Sequence, residues 1–180
     1  MAWSEVPGVE PLPYVVNKAD NVKFASGVVL EEGAVVAQES TNYTWKGYDP
    51  NASDGTQEPR GILLKDLNSD ENASAPVAFD GIFGSLIHIK LSDTFNGDGS
   101  TTSFTLTREP FEDSITVTID GEVQESGWSV SGNTITFDSA PDNGTSIVVA
   151  YKGKVNEADK QKLRDKGMVV RDTTLVEPNV

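Results

Sequence analysis

From Ser92 to Gly153 the chain alternates apolar and polar residues in five successive runs. Phe104 pairs in parity with Leu106, then Ile115 with Val117 and Ile119, then Trp128 with Val130, Ile135 with Phe137, and Ile147 with Val149 and Tyr151. Side chains along a strand point to alternate faces, so each run can bury one face and wet the other. Turn-forming stretches separate the runs: NGDGS, REPFED, the Asp120-Gly121 pair, SGN and APDNG. Gly, Asn and Asp accept the backbone angles that tight turns demand. The pattern predicts a small antiparallel sandwich or barrel over residues 92–153. A unit of that size is near the lower limit for an unaided core, because its surface is large relative to its volume.

The same block is distinct in charge. It holds ten acidic side chains against Arg108 and Lys152, a net −8 within a 180-residue chain whose total is −14. A composition shift over a self-contained β pattern predicts an inserted domain, with junctions at Ser92-Asp93 and Gly153-Lys154. Insertions survive where the host brings its two ends together on a surface loop.

Charge and composition also bound the function. A surface this acidic repels phosphate, which argues against a nucleic-acid partner. No apolar run approaches the roughly 18 residues that suggest a membrane span, and the N-terminus lacks a basic patch leading into an apolar core, so no membrane partner or signal peptide is expected. With no cysteine, disulfides, thiolate nucleophiles and cysteine-bound metals are excluded. His88, the only histidine, falls in LIHIKL at the parity of Leu86 and Lys90, which predicts a place on the polar face of a strand. No GxSxG, HExxH, GxxxxGK[ST] or GxGxxG motif occurs, and the carboxylates are scattered through turns. Asp49, Asn51 and Asp54 suggest a calcium loop only superficially, since the glutamate that closes an EF-hand is missing. An enzyme, a metal site and a cofactor are therefore not expected.

The flanks read differently. Residues 1–18, MAWSEVPGVEPLPYVVNK, contain Pro7, Pro11 and Pro13. Proline lacks an N–H and fixes φ, so this segment resists both helix and central strand. It is nevertheless rich in apolar residues, which predicts an extended arm that orders on another chain. Val28 to Leu30 and Ala34 to Ala37 flank Glu31-Glu32-Gly33, which suggests a tight hairpin or bend with Gly33 at positive φ. Residues 46–60 read as loop, Gly61 to Leu64 as a short buried strand, and Pro76 to Ile89 as a loosely alternating run bent at Gly81 and Gly84. In NEADKQKLRDKG, Asn156 is a helix N-cap with Asp159 three residues on. Gly167 is the stop, and Met168 to Val170 form a last strand.

Read together, GVVLEEGAVVAQ, YDPNASDGTQEPRGILLKDL, VAFDGIFGSLI and NEADKQKLRDKGMVV resemble the lambda-type head decoration proteins of tailed bacteriophages. The central block is similar to a small β module of phage structural and tail-associated proteins. The resemblance implies a mainly β fold with one short α-helix: a β-rich, β-tulip-like decoration core of residues 19–91 and 154–180, carrying residues 92–153 as the insertion. It implies homotrimers on the outer surface of the expanded capsid, at threefold and quasi-threefold sites, that stabilise the shell against packaged DNA. The partner would be the major capsid protein, and synthesis would take place in the host bacterial cytoplasm. Carried onto this sequence, the capsid-binding arm is residues 1–18, with Trp3, Val6, Pro7, Val9, Leu12, Pro13 and Tyr14 as contacts. The alternative is a tail- or fibre-associated or adhesion module, in which Trp45, Trp128 and Tyr151 offer a stacking face to a host-surface glycan. The shared parity of Trp128 and Val130 favours burial over that role.

Overall fold

The structure is a computed structural model that describes residues 17–84 and 87–171. Its described part is mainly β with a single α-helix and forms two compact units. One holds the described chain up to Ile87 and from Val155 onward; the other is His88–Lys154. The first unit begins with β1 (Lys18–Lys23), β2 (Val29–Leu30), β3 (Val35–Gln38), β4 (Trp45–Gly47), β5 (Pro59–Leu63), β6 (Leu67–Asn68), β7 (Ser74–Ala78) and β8 (Gly81–Phe83). The second contains β9 (His88–Asn96), β10 (Ser103–Thr105), β11 (Thr116–Ile119), β12 (Glu122–Val123), β13 (Trp128–Ser131), β14 (Thr134–Phe137) and β15 (Ser146–Lys154). The chain then returns to the first unit with α1 (Glu157–Arg164) and β16 (Met168–Val170).

The main sheet of the first unit runs β1-β7-β5-β3-β4 and is antiparallel throughout. It curls on itself. Phe24, just past β1, bridges Trp45 in β4, and the Ala25 N–H donates to the Trp45 carbonyl at 3.0 Å. Val22, Phe24, Leu30, Val36, Leu63 and Val77 fill the resulting concavity, with Trp45 and Phe79 packed against them, their own ring centroids 5.7 Å apart. Gly61 allows the close approach of β5 and β7. A Cβ there would lie 2.4 Å from Val77 Cγ1 and 2.9 Å from the Ala78 carbonyl oxygen. By strand alternation Val35, Ala37 and Ile62 face the other way; they too are buried, and α1 packs on β5.

The Glu31-Glu32-Gly33 stretch is a bend rather than a hairpin. Gly33 has φ +87°, but the strands on either side do not pair with each other. β2 pairs with β6 and β3 with β4 and β5, so the bend hands the chain from one sheet to another.

Helix α1 begins where the sequence predicts. The Asn156 side chain accepts from the Asp159 N–H at 2.9 Å, and the Asp159 carboxylate accepts from the Asn156 N–H at 3.1 Å, which satisfies two donors at the helix start. Asp159 also accepts the Tyr48 hydroxyl at 2.9 Å, and Lys162 donates to the Gln57 carbonyl at 2.8 Å. These bonds tie the helix to the loop between β4 and β5. Gly167, at φ +87°, turns the chain into β16, which pairs in parallel with β8.

The second unit has two open antiparallel sheets, β12-β11-β15-β9 and β10-β14-β13. The first is built on a long ladder of β9 and β15, in register from Asn96 opposite Ser146 to His88 opposite Lys154. Val117, Ile147, Val149 and Tyr151 are buried on one sheet, and Ile135 and Phe137 on the other. Phe104 joins the sheets, 5.1 Å from Phe95 in β9 and 5.9 Å from Phe137 in β14.

His88 corrects an expectation. It is buried, at 4% exposure, as are Ile89 and Leu91. Alternation fails at this end of β9, because both faces of the strand's first two residues are covered.

Candidate functional site

The arm contacts Trp3, Val6, Pro7, Val9, Leu12, Pro13 and Tyr14 lie outside the described residues. The root of the arm lies inside them. Lys18 opens β1 opposite Ala78, and the Asn17 carbonyl accepts the Phe79 N–H at 2.8 Å. The chain therefore enters the first unit beside the turn between β7 and β8.

Of the three aromatic candidates for a glycan face, Trp45 belongs to the first unit and Trp128 and Tyr151 to the second. Trp45 is half-buried in the first unit against Phe79. Trp128 is half-buried at the start of β13, and its indole N–H donates to the Gln124 carbonyl at 2.9 Å. Tyr151 is 3% exposed, so its ring has little surface to offer a sugar. Its hydroxyl donates to Asp93 Oδ2 at 2.7 Å and accepts the Arg108 N–H at 3.1 Å. Asp93 also accepts the Thr107 N–H and hydroxyl at 2.7 and 2.8 Å. Burial, and then the neighbouring Asp93, push the Tyr151 hydroxyl well above its ordinary pKa. The parity shared with Ile147 and Val149 wins: the residue staples the segment after β10 to the ladder.

The carboxylates of the loops brace turns, Asp54 and Asp98 their own and Asp70 the one at Ser26-Gly27. Hydroxyl bonds from Thr56, Ser26 and Thr101, joined by backbone N–H donors, hold Asp54, Asp70 and Asp98 below the ordinary carboxylate range. The Lys46 ammonium, with the Thr44 hydroxyl, does the same for Glu39. Asp49 accepts the Asn51 N–H at 2.8 Å. Among the described residues, no group of three or more His, Asp or Glu side chains is placed to hold a metal ion. None of the described helices is long and apolar enough to cross a membrane.

Two features beside the arm root went unread in the sequence. Ile82 and Val169, opposite each other on β8 and β16, are each 36% exposed. Asp80, in the preceding turn, has a buried Oδ1 that meets no donor among the described residues. FDGIF registers in the sequence only as a bend, and nothing local announces that a strand beyond the second unit will pair with it.

The first unit is thus a rolled β sheet braced by one capped helix. Residues 16–85 match the family of bacteriophage lambda head decoration protein D, and over this stretch the chain is similar to lambda-type head decoration proteins. Such proteins are structural parts of the phage head rather than enzymes, and they belong to the virion capsid. The match starts at the arm root and stops short of the second unit. No curated protein matches the chain.

Proposed function

We propose that this chain is a cement protein of a phage head. It binds the outside of the expanded capsid as a homotrimer at threefold and quasi-threefold sites, and it stabilises the shell against internal DNA pressure. The family match over residues 16–85 is the single observation that supports this reading. The grip comes from the arm. An apolar, proline-rich segment gains little alone in water and is suited to an extended path over a neighbouring capsid subunit. Ordering it costs about 1–2 kcal/mol per residue, so one arm binds modestly, and three arms on one trimer bind together through their high effective concentration. Residues 92–153, which lie within the compact unit 88–154, are an insertion in this decoration core.

The test is removal of residues 1–16, which leaves β1 intact. The truncated chain is expected to melt like the parent and keep its trimeric mass in analytical ultracentrifugation, yet fail to sediment with expanded capsids that lack the protein. Full-strength capsid binding by the truncated chain would refute the role of the arm.

A further inference from the structure

A strand at the border of a sheet leaves one row of backbone N–H and C=O groups without a ladder partner. In the second unit the phase of the ladders shows which groups these are. The turn at Asp120-Gly121 sets Ile119 opposite Glu122, and in a two-residue hairpin those flanking residues exchange hydrogen bonds. One alternation further on, the Gln124 N–H donates to the Val117 carbonyl at 2.8 Å. Thr116 and Thr118 therefore turn their backbone groups to Ala150 and Val148 of β15. Ile147 and Val149 turn theirs the other way, to Phe95 and Asp93 of β9. The Phe111 N–H on the Lys152 carbonyl and the Lys154 N–H on the Glu109 carbonyl fix the same phase at the other end of β15. Ser92, Thr94 and Asn96 are left pointing off the sheet, for β9 is its last strand. Among the described residues none of these outward N–H and C=O groups has a partner.

Natural sheets guard their edges with short strands, charges, proline or a bulge. The other edges of this unit are short: β12 has two residues, β10 three and β13 four. β9 has nine, no proline, and an unbroken register with β15. Its Asp93 is no guard, since that carboxylate is taken up by Tyr151 and Thr107. Ser92, Thr94 and Asn96 present uncharged, exposed side chains.

Such an edge fits a second copy of itself. Antiparallel pairing with Thr94 on a two-fold axis sets Thr94 opposite Thr94 and Ser92 opposite Asn96, so every outward group of the three meets a complementary one. It also sets Lys90, in the same phase, across from Asp98 of the other copy, and opposite charges facing each other across strands are favourable. The Asp98 carboxylate is held in place there by the N–H groups of Ser100 and Thr101. An axis at Asp93 would oppose two aspartates, an axis at Lys90 two lysines, and an axis at Ser92 sets Lys90 opposite Thr94 instead of a carboxylate. We infer that β9 is an association edge, at which two copies of this chain join their β12-β11-β15-β9 sheets into one continuous sheet in register about Thr94. The contact is independent of the capsid-binding reading and joins copies with or without a shell.

The chain has no cysteine, so single introduced thiols report the contact. Thr94→Cys sets two thiols on directly opposite residues, with Cα atoms about 5.5 Å apart, in reach of a short bismaleimide. Ser129→Cys, exposed on β13 of the other sheet, reports chance encounter. Thr94→Cys is expected to give covalent dimers roughly tenfold faster or more, because pairing raises the effective concentration of the second thiol. Adding Ser92→Pro removes an N–H that the β9–β15 ladder does not use, the setting in which an edge strand accepts proline. It is expected to return the rate to that of Ser129→Cys. Circular dichroism and thermal melting check that each variant folds. Should the proline variant misfold, Lys90→Glu added to Thr94→Cys carries the same prediction, since it sets a second carboxylate across from Asp98. Equal rates for Thr94→Cys and Ser129→Cys overturn the inference. Fast linkage at Thr94 that neither second change slows overturns it as well.

Discussion

At the scale of single residues, the second unit relies on one hydroxyl. Tyr151 links Asp93 of β9 to the Arg108 backbone from a buried position in β15. Tyr151→Phe keeps the ring and takes one hydrogen bond from each of them. A loss of about 1–3 kcal/mol is expected in urea unfolding at neutral pH. The pH dependence has a definite sign. The folded tyrosine has a pKa raised above the ordinary 10.0, so the unfolded chain gives up this proton first, and the parent loses stability as pH rises beyond that value. Phenylalanine has no proton to lose, and the gap between parent and variant should narrow in alkali. The sequence contained this answer in part: the parity of Tyr151 put it with the core, and only its chemical character suggested a surface role. Tyr43 was illegible by comparison. It is 70% exposed and at φ +55°, a backbone state that bulky residues avoid, and nothing in STNYT marks it.

At the scale of elements, what was legible was local. The capping box of α1 lies within four consecutive residues, so Asn156 and Asp159 announced it. The alternating runs of the second unit announced its strands, because turn and pattern lie side by side. Pairing between distant segments was not legible. The bend at Gly33 looks like a hairpin until β2 finds β6, and β8 gives no sign of β16, which follows a whole unit later. His88 was misread for a related reason, since alternation reports one covered face and the start of β9 has two. Close packing of β5 on β7 depends on a missing side chain. Gly61→Ala would put a methyl group 2.4 Å from Val77 Cγ1 and 2.9 Å from a backbone oxygen, and the strands would have to part. The expected cost is about 1–3 kcal/mol, read as a lower melting temperature, whereas the same change at Gly132, where a Cβ meets nothing within 4 Å, has only its positive φ of +57° to contend with.

At the scale of the whole molecule, the ladder of β9 and β15 decides how the chain is assembled. His88 and Lys154 are direct partners, so the residues flanking them, Ile87 and Val155, emerge together. Removing residues 88–154 and joining Ile87 to Val155 through two glycines should leave a first unit that melts in one cooperative transition. A shortened chain without a melting transition would show that the first unit depends on the second. The ladder also bears on the order of events during folding. While the second unit is unfolded, α1 and β16 must find β5 and β8 across a long slack span. Once it has formed, residues 88–154 drop out of that span. From the logarithmic dependence of closure entropy on length, the difference is about 1 kcal/mol. The second unit thus acts on the first as a crosslink would, and loosening it should slow the docking of α1 and β16.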